Sequence, residues 1–149
     1  MEIWVLAVLI IGSGVLAMAE MAVGASRNSQ LAMRLRDGAG NAAAVLQFRQ
    51  QPSRLLATTQ LGITAMAMLA GVFGESLWVP RVQATLVELL PSLGAAAYGI
   101  ALALVVTLIT FVSIVFGEVV PKRIALARPE GIAMAMATPL NLLLRITHP

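Results

Sequence analysis

Three long apolar segments constrain the fold of this 149-residue chain more than any other feature. They cover residues 3–23, 55–79 and 98–117, and a helix needs about 20 apolar residues to cross the hydrocarbon core of a bilayer. With 59% hydrophobic and 11% charged residues, the chain has more apolar surface than a soluble domain of this size can bury. The sequence therefore predicts one all-α membrane domain, residues 1–149, with three transmembrane helices.

The basic residues indicate how these helices are oriented. Five arginines lie between the first and second segments and four basic residues follow the third, whereas Arg81 alone lies between the second and third. By the positive-inside rule, the basic sides are cytoplasmic, so the N-terminus is expected outside. No cationic region precedes the first segment, and we interpret it as a retained span rather than a signal peptide.

The remaining stretches predict shorter helices in contact with membrane lipid. Residues 27–52 are basic and mildly amphipathic, and residues 130–147 are apolar on much of their circumference. Both are predicted to form cytoplasmic belt helices, although a solvated linker explains residues 27–52 equally well. Residues 82–93 predict a short amphipathic helix on the outer side. Glycine and polar residues at helical spacing in the second span favour a tightly packed or broken helix.

Composition also excludes several kinds of chemistry. The chain has no cysteine and one histidine, His148, so neither a disulfide framework nor a zinc site is expected. No base lies near a serine of the spans, and we therefore predict that the chain is not an enzyme. The ten basic residues are too few, and too close to the membrane edges, to form a groove for nucleic acid.

The third apolar segment ends in the sequence Gly117-Glu118-Val119-Val120-Pro121-Lys122, which predicts a cation site. Proline has no backbone N–H, so a continuing helix would leave the Gly117 carbonyl without its donor, next to the Glu118 carboxylate. Carbonyl and carboxylate oxygens are ligands of hard cations such as Mg2+ and Na+. Alternatively, Pro121 simply ends the span, with Glu118 at the water interface and Lys122 as a topogenic charge.

Polar groups inside all three spans favour the site over this alternative. They are Ser13 in the first span, Thr64 and the backbone around Gly62 in the second, and Thr107, Thr110 and Ser113 in the third. Any one hydroxyl is explained by a bond to its own helix. Two acids within apolar segments, Glu20 and Glu118, are harder to explain structurally, because ionisable residues within membrane spans usually mark functional sites.

These residues resemble the transmembrane domain of the CNNM/CorC family of Mg2+ transporters. The resemblance rests on Ala19-Glu20-Met21-Ala22, on Gln60-Leu61-Gly62-Ile63-Thr64 and on the segment from Gly117 to Lys122. It implies a homodimer in the bacterial inner membrane, with an inward-facing cation cavity in each protomer and Na+-coupled export of Mg2+. It also implies that cytoplasmic CBS domains follow in the full-length protein.

The resemblance implies specific roles for individual residues. Ser13, Gly117 and Glu118 match the family's metal ligands. At Ile63 this chain departs from the asparagine of the Mg2+ branch, and Gly62 or Thr64 is expected to substitute. Glu20, Pro121 and Lys122 are assigned structural or gating roles.

Two other functions remain open. The Gln-Leu-Gly-Ile-Thr version of the second motif resembles a bacterial branch linked to export of polyamines such as cadaverine and putrescine. In that case Glu20, Glu75 and Glu118 would bind the amines. The third interpretation is a membrane anchor or sensor for the cytoplasmic domains.

Overall fold

The fold is known from a computed structural model that describes residues 2–147, with side chains for residues 3–144. His148 lies outside the described residues. The helices are α1 (Glu2–Ala25), α2 (Asn28–Arg36), α3 (Asn41–Gln50), α4 (Pro52–Leu89), α5 (Ala96–Ile114), α6 (Val120–Ala127) and α7 (Pro129–Thr147). A short 3-10 helix, Pro91–Leu93, precedes α5, and a π-helical turn, Val115–Val119, joins α5 to α6. The described part contains no strand, which confirms the all-α prediction.

Three helical stretches are long and apolar enough to cross a membrane, as predicted. They are Ile3–Ala25, Pro52–Leu89 and Ala96–Ala127, the last formed by α5, the π turn and α6 together. The third stretch is longer than the sequence suggested, because the chain remains helical beyond Pro121. Pro121 is the second residue of α6 and follows the π turn directly, and the helical path continues through it.

The second span, α4, is one continuous helix of 38 residues. The break considered for this span is absent, and the amphipathic helix predicted at residues 82–93 is largely the last part of α4. Two of its three glycines serve close helix packing instead. A Cβ at Gly62 would lie 2.6 Å from Leu16 Cδ1 of α1, and one at Gly74 would clash with Ile109 of α5. Small residues allow such close approach in membranes, where packing drives helix association.

The short helices α2, α3 and α7 form a belt around one end of the spans. This confirms helices in both predicted stretches, whereas their cytoplasmic location stays a prediction. The main buried cluster lies here, and it combines the belt with the ends of α1, α4 and α6: Ala19, Ala22, Val23, Leu31, Ala42, Val45, Phe48, Leu55, Ala125, Ala133, Ala137, Leu140 and Leu144. The belt is therefore a packed part of the domain and not a linker.

Arg49 of α3 ties the belt to the first span. Its Nη1 donates hydrogen bonds to the carbonyls of Val23 (2.8 Å) and Gly24 (2.9 Å), and its Nε donates to Asn28 Oδ1 (2.7 Å). The last carbonyls of a helix have no partner within the helix and carry partial negative charge, which a guanidinium satisfies. The end of α1 is thereby fixed to the belt.

Candidate cation site

The candidate site lies where α1 meets the π turn. Ser13 of α1 is buried, and its Oγ donates a hydrogen bond to the Ile10 carbonyl at 2.8 Å. Gly117 of the π turn lies opposite, and a Cβ at this position would come within 2.5 Å of Ser13 Oγ. At the next residue of α1, a Cβ at Gly14 would come within 3.0 Å of Pro121 Cγ and 3.1 Å of the Phe116 carbonyl oxygen. Glycine at both positions is what lets the two segments approach.

The π turn places the backbone of Gly117 and Glu118 at this contact. The N–H of Val120 bonds to the Val115 carbonyl, five residues earlier instead of four, so the turn contains one extra residue. Such π turns occur frequently at functional sites in other proteins. Pro121 has no N–H and so cannot donate to Gly117 four residues earlier, as the sequence predicted. The turn and the proline together interrupt the regular bonding pattern beside Ser13.

A cavity of about 130 Å3 opens between α1, α4, α5 and the π turn. Four side chains with oxygen atoms line it, and the rest of the wall is apolar or glycine backbone. The lining residues are Ser13, Ile63, Ala67, Gly71, Val106, Ile109, Thr110, Ser113, Ile114, Gly117 and Glu118. The cavity thus brings together Ser13, Gly117 and Glu118, which the sequence analysis had selected from separate segments.

One polar side chain of this cavity, Ser113, lacks a hydrogen-bond partner in the described part of the chain. Its Oγ is buried and has no hydrogen-bond partner among the described residues. A buried hydroxyl without a partner typically costs about 1–3 kcal/mol. Because Ser113 lines the same cavity as Ser13 and Glu118, a polar or charged ligand bound there would supply the missing partner.

Glu118 is the one acidic side chain that lines the cavity. Its Oε1 lies 2.5 Å from Lys122 Nζ, one helical turn further along, and this is the only ion pair in the described part of the chain. The Glu118 side chain is 41% exposed and that of Lys122 is 24% exposed. The carboxylate is therefore accessible but already neutralised by a neighbouring cation.

The residues of the second span that line the cavity differ from those predicted. Gly62 contacts Leu16, and neither Gly62 nor Thr64 is among the residues that line the cavity. Ile63 lines it instead, with 8% of its surface exposed, so α4 presents an apolar side chain at this point. The assignment of Gly62 and Thr64 as ligands stays a prediction, and the described geometry does not bring them together with the other residues.

Glu20 also lies outside the cavity. Its Oε2 accepts a hydrogen bond of 2.5 Å from Oγ1 of Thr59, which is fully buried near the start of α4. Sequence reasoning did not single out Thr59. The available signal was that Glu20 on an apolar helix needs a partner, and that two adjacent threonines, Thr58 and Thr59, lie in the second turn of α4.

Two further observations bear on the kind of site this is. In the part of the chain that the structure describes, no group of three or more histidine, aspartate and glutamate side chains converges, so a cation here would rely on hydroxyl and carbonyl oxygens beside the single carboxylate of Glu118. A larger cavity of about 270 Å3 lies in the belt, but its lining contains Arg54 and no acidic residue. It is therefore not a competing cation site.

Comparison with known proteins identifies the family of this chain. The family model described as "Cyclin M transmembrane N-terminal domain" matches residues 4–149. A UPF0053 protein of Synechocystis is 32% identical over 149 residues, which cover 100% of this chain and 33% of that protein. The polyamine export proteins of Salmonella typhimurium and Escherichia coli K12 are 28% and 27% identical over 148 residues, which cover 99% of this chain and 33% of theirs.

The chain thus spans about one third of the length of these relatives. Its match to the family, in contrast, extends over residues 4–149, and so covers nearly all of its own residues. This confirms the resemblance predicted from the motifs: the chain belongs to the cyclin M (CNNM) transmembrane domain family.

Proposed function

We propose that this domain transports Mg2+ out of the cytoplasm and binds the ion in the cavity between Ser13, Ser113 and Glu118. The observation that carries the proposal is the buried Ser113 hydroxyl, which has no partner among the described residues and shares its cavity with a carboxylate. Mg2+ in proteins is usually held by one or two carboxylates and keeps several water ligands. One carboxylate, three hydroxyls and space for several waters match that requirement.

Export of polyamines is the second candidate, and two observations favour it. Two of the relatives are named polyamine export proteins, and Ile63 gives the cavity an apolar wall suited to a methylene chain. A diamine, however, has two separated ammonium groups that each need an acceptor. The cavity offers one carboxylate, Glu118, as a counter-charge for these two groups, while Glu20 is bonded to Thr59 outside it. We therefore rank Mg2+ first.

Further parts of the proposal rest on the family resemblance. They are Na+ entry as the driving force, the cytoplasmic location of the belt, pairing of two copies, and control by CBS domains in the full-length protein. A membrane anchor or sensor would need none of the cavity's polar groups. That reading predicts that millimolar Mg2+ leaves the thermal stability of the purified chain unchanged.

Mg2+ efflux from liposomes tests the proposal. The purified chain is reconstituted in liposomes loaded with Mg2+, and efflux is followed with a fluorescent indicator outside. Glu118→Gln and Ser13→Ala should each reduce the rate about tenfold or more, because a charged ligand or a cavity hydroxyl is removed. Glu88→Gln, at an exposed acid near the far end of α4, is the matched control and should transport normally. Unchanged efflux in both site variants would refute the assignment.

Competition separates the two substrates. Cadaverine is added on the same side as Mg2+ in the same liposomes, and the initial rate of Mg2+ efflux is measured. A Mg2+ transporter should be inhibited weakly, since a diamine cannot place both ammonium groups on Glu118. Saturable cadaverine transport that outcompetes Mg2+ would instead establish the polyamine function.

A further inference from the structure

We propose that Lys122 acts as a built-in competitor for the transported cation: its ammonium group holds Glu118 and must be displaced when a cation binds there. This inference rests on the proposed cation site and adds a specific role for one residue. It identifies Lys122 as the residue that sets the apparent affinity of the site and that neutralises Glu118 again once the cation has left.

The geometry of the pair supports this role. Lys122 Nζ contacts Glu118 Oε1 at 2.5 Å, and the two residues are four apart with the acid nearer the N-terminus, which is the favourable orientation on a helix. Glu118 is the only acid that lines the cavity. Any cation that uses the carboxylate of the cavity must therefore share it with Lys122 or displace it.

The surroundings of the pair explain why such a competitor is useful. A carboxylate without a counter-charge is costly in a membrane-spanning segment. A carrier must nevertheless return without its ion after release. A lysine one turn away supplies the missing positive charge, and because it is tethered it needs no ion from solution. The same competition lowers the affinity for the transported cation, which favours its release.

The sequence offers an unusual opportunity to test this directly. Lys122 is the only lysine among the 149 residues, so an amine-selective acylating reagent modifies one side chain of this chain. The rate of modification, measured by mass spectrometry of the peptide that contains Lys122, reports how much of the ammonium is engaged with Glu118. The full chain is used in detergent, with and without Mg2+.

We expect saturating Mg2+ to increase the modification rate of Lys122 about fivefold in the wild-type protein, the size expected for release from a partly exposed ion pair. Glu118→Gln is the matched control. It removes the partner, so Lys122 should react quickly whether or not Mg2+ is present. If Mg2+ slows the reaction or leaves it unchanged in a wild-type protein that Mg2+ stabilises thermally, the competitor role is refuted while the cation site stands. If Mg2+ does not stabilise the protein at all, the proposed function fails and this inference fails with it.

Transport kinetics provide a second, independent test. Lys122→Met keeps most of the length of the side chain but removes its charge, so the Mg2+ concentration at half-maximal rate should fall about tenfold. The maximal rate should also fall, because the unloaded carrier then has an uncompensated carboxylate. Arg123→Met, which changes the net charge equally at the next, exposed residue, should retain both values. An unchanged or higher half-maximal concentration in Lys122→Met would overturn the inference. If the lysine had only a structural role, its removal would not strengthen Mg2+ binding.

Discussion

Ser113 and Ile63 line the same cavity but differ in what they offer to a ligand. Ser113 presents a buried hydroxyl that no described residue satisfies, whereas Ile63 presents an apolar side chain where the resemblance to Mg2+ transporters suggested an asparagine. The first favours a polar or charged ligand, and the second reduces the number of oxygen ligands available for it. Together these two residues indicate that the cavity suits a polar or charged ligand that needs few oxygen ligands from the protein.

Replacement of Ser113 by alanine should separate stability from binding. Without a ligand, the variant loses a buried polar group that has no partner, so the free energy of unfolding should rise by about 1 kcal/mol. Mg2+ should then stabilise the variant less than the wild type. Thermal unfolding with and without Mg2+ measures both effects. Ser76→Ala is the control, since Ser76 is exposed and bonds to the Phe73 carbonyl at 3.0 Å. A loss of stability in Ser113→Ala without Mg2+ would show that the hydroxyl is already satisfied.

Replacement of Ile63 by asparagine tests whether this residue limits Mg2+ binding. The amide would add an oxygen ligand to the cavity wall, at a cost of about 1–3 kcal/mol in stability for burying a polar group. We expect the Mg2+ concentration at half-maximal efflux to decrease and inhibition by cadaverine to weaken. Ile63→Val keeps the wall apolar and should change neither value. Stronger cadaverine inhibition in Ile63→Asn would contradict this role for Ile63.

At the scale of elements, the site depends on how α1 packs against the π turn. Gly14 and Gly117 remove the side chains that would hold the two segments apart, and Pro121 packs against Gly14 from the start of α6. Ser13 and Glu118 line the same cavity because the contacts at Gly14 and Gly117 bring α1 against the π turn. The π turn and the two glycines therefore belong to the site, although their own side chains bind nothing.

Gly117→Ala should damage this contact. The added Cβ would lie 2.5 Å from Ser13 Oγ and 3.5 Å from the Ile10 carbonyl oxygen, and overpacking of this kind typically costs about 1–3 kcal/mol. We expect a lower unfolding temperature and greatly reduced Mg2+ efflux. Gly99→Ala in α5 is the control, because nothing lies within 4 Å of a Cβ there. It should be neutral or stabilising by up to about 1 kcal/mol, as expected for alanine in a helix. Equal stability of the two variants would refute the close contact.

Particular residues show how far sequence reasoning reaches for these elements. The three spans, the belt helices and the grouping of Ser13, Gly117 and Glu118 were predictable, because apolar length, proline chemistry and the family motifs each leave a local signal. The bond between Glu20 and Thr59 and the exposure of Ile63 to the cavity were not. They depend on the rotation and register of α4 against α1, which are set by packing of the whole helices. Similarly, Gly62 and Gly74 of α4 pack against Leu16 and Ile109, and no local sequence pattern distinguishes glycines that serve such packing from glycines that break a helix.

At the scale of the whole molecule, burial is distributed unevenly. The belt encloses the main buried cluster, whereas only 11% of the most apolar stretch of the third span is buried. Large apolar side chains such as Leu104, Leu108 and Phe111 are exposed on α5, a face suited to lipid or to another membrane helix. The belt thus provides a packed base, whereas α5 leaves much of its apolar surface to the surrounding membrane or to a neighbouring helix.

The central claim is that the cavity between Ser13, Ser113 and Glu118 binds a divalent cation, and anomalous diffraction tests it most directly. Crystals of the chain grown with Mn2+, which shares the preference of Mg2+ for oxygen ligands, would be measured at a wavelength where manganese scatters anomalously. The account predicts one strong peak in the cavity, within bonding distance of a Glu118 oxygen and displaced from Lys122. A strong peak elsewhere in the chain, or an occupied site with no contact to Glu118, would contradict it.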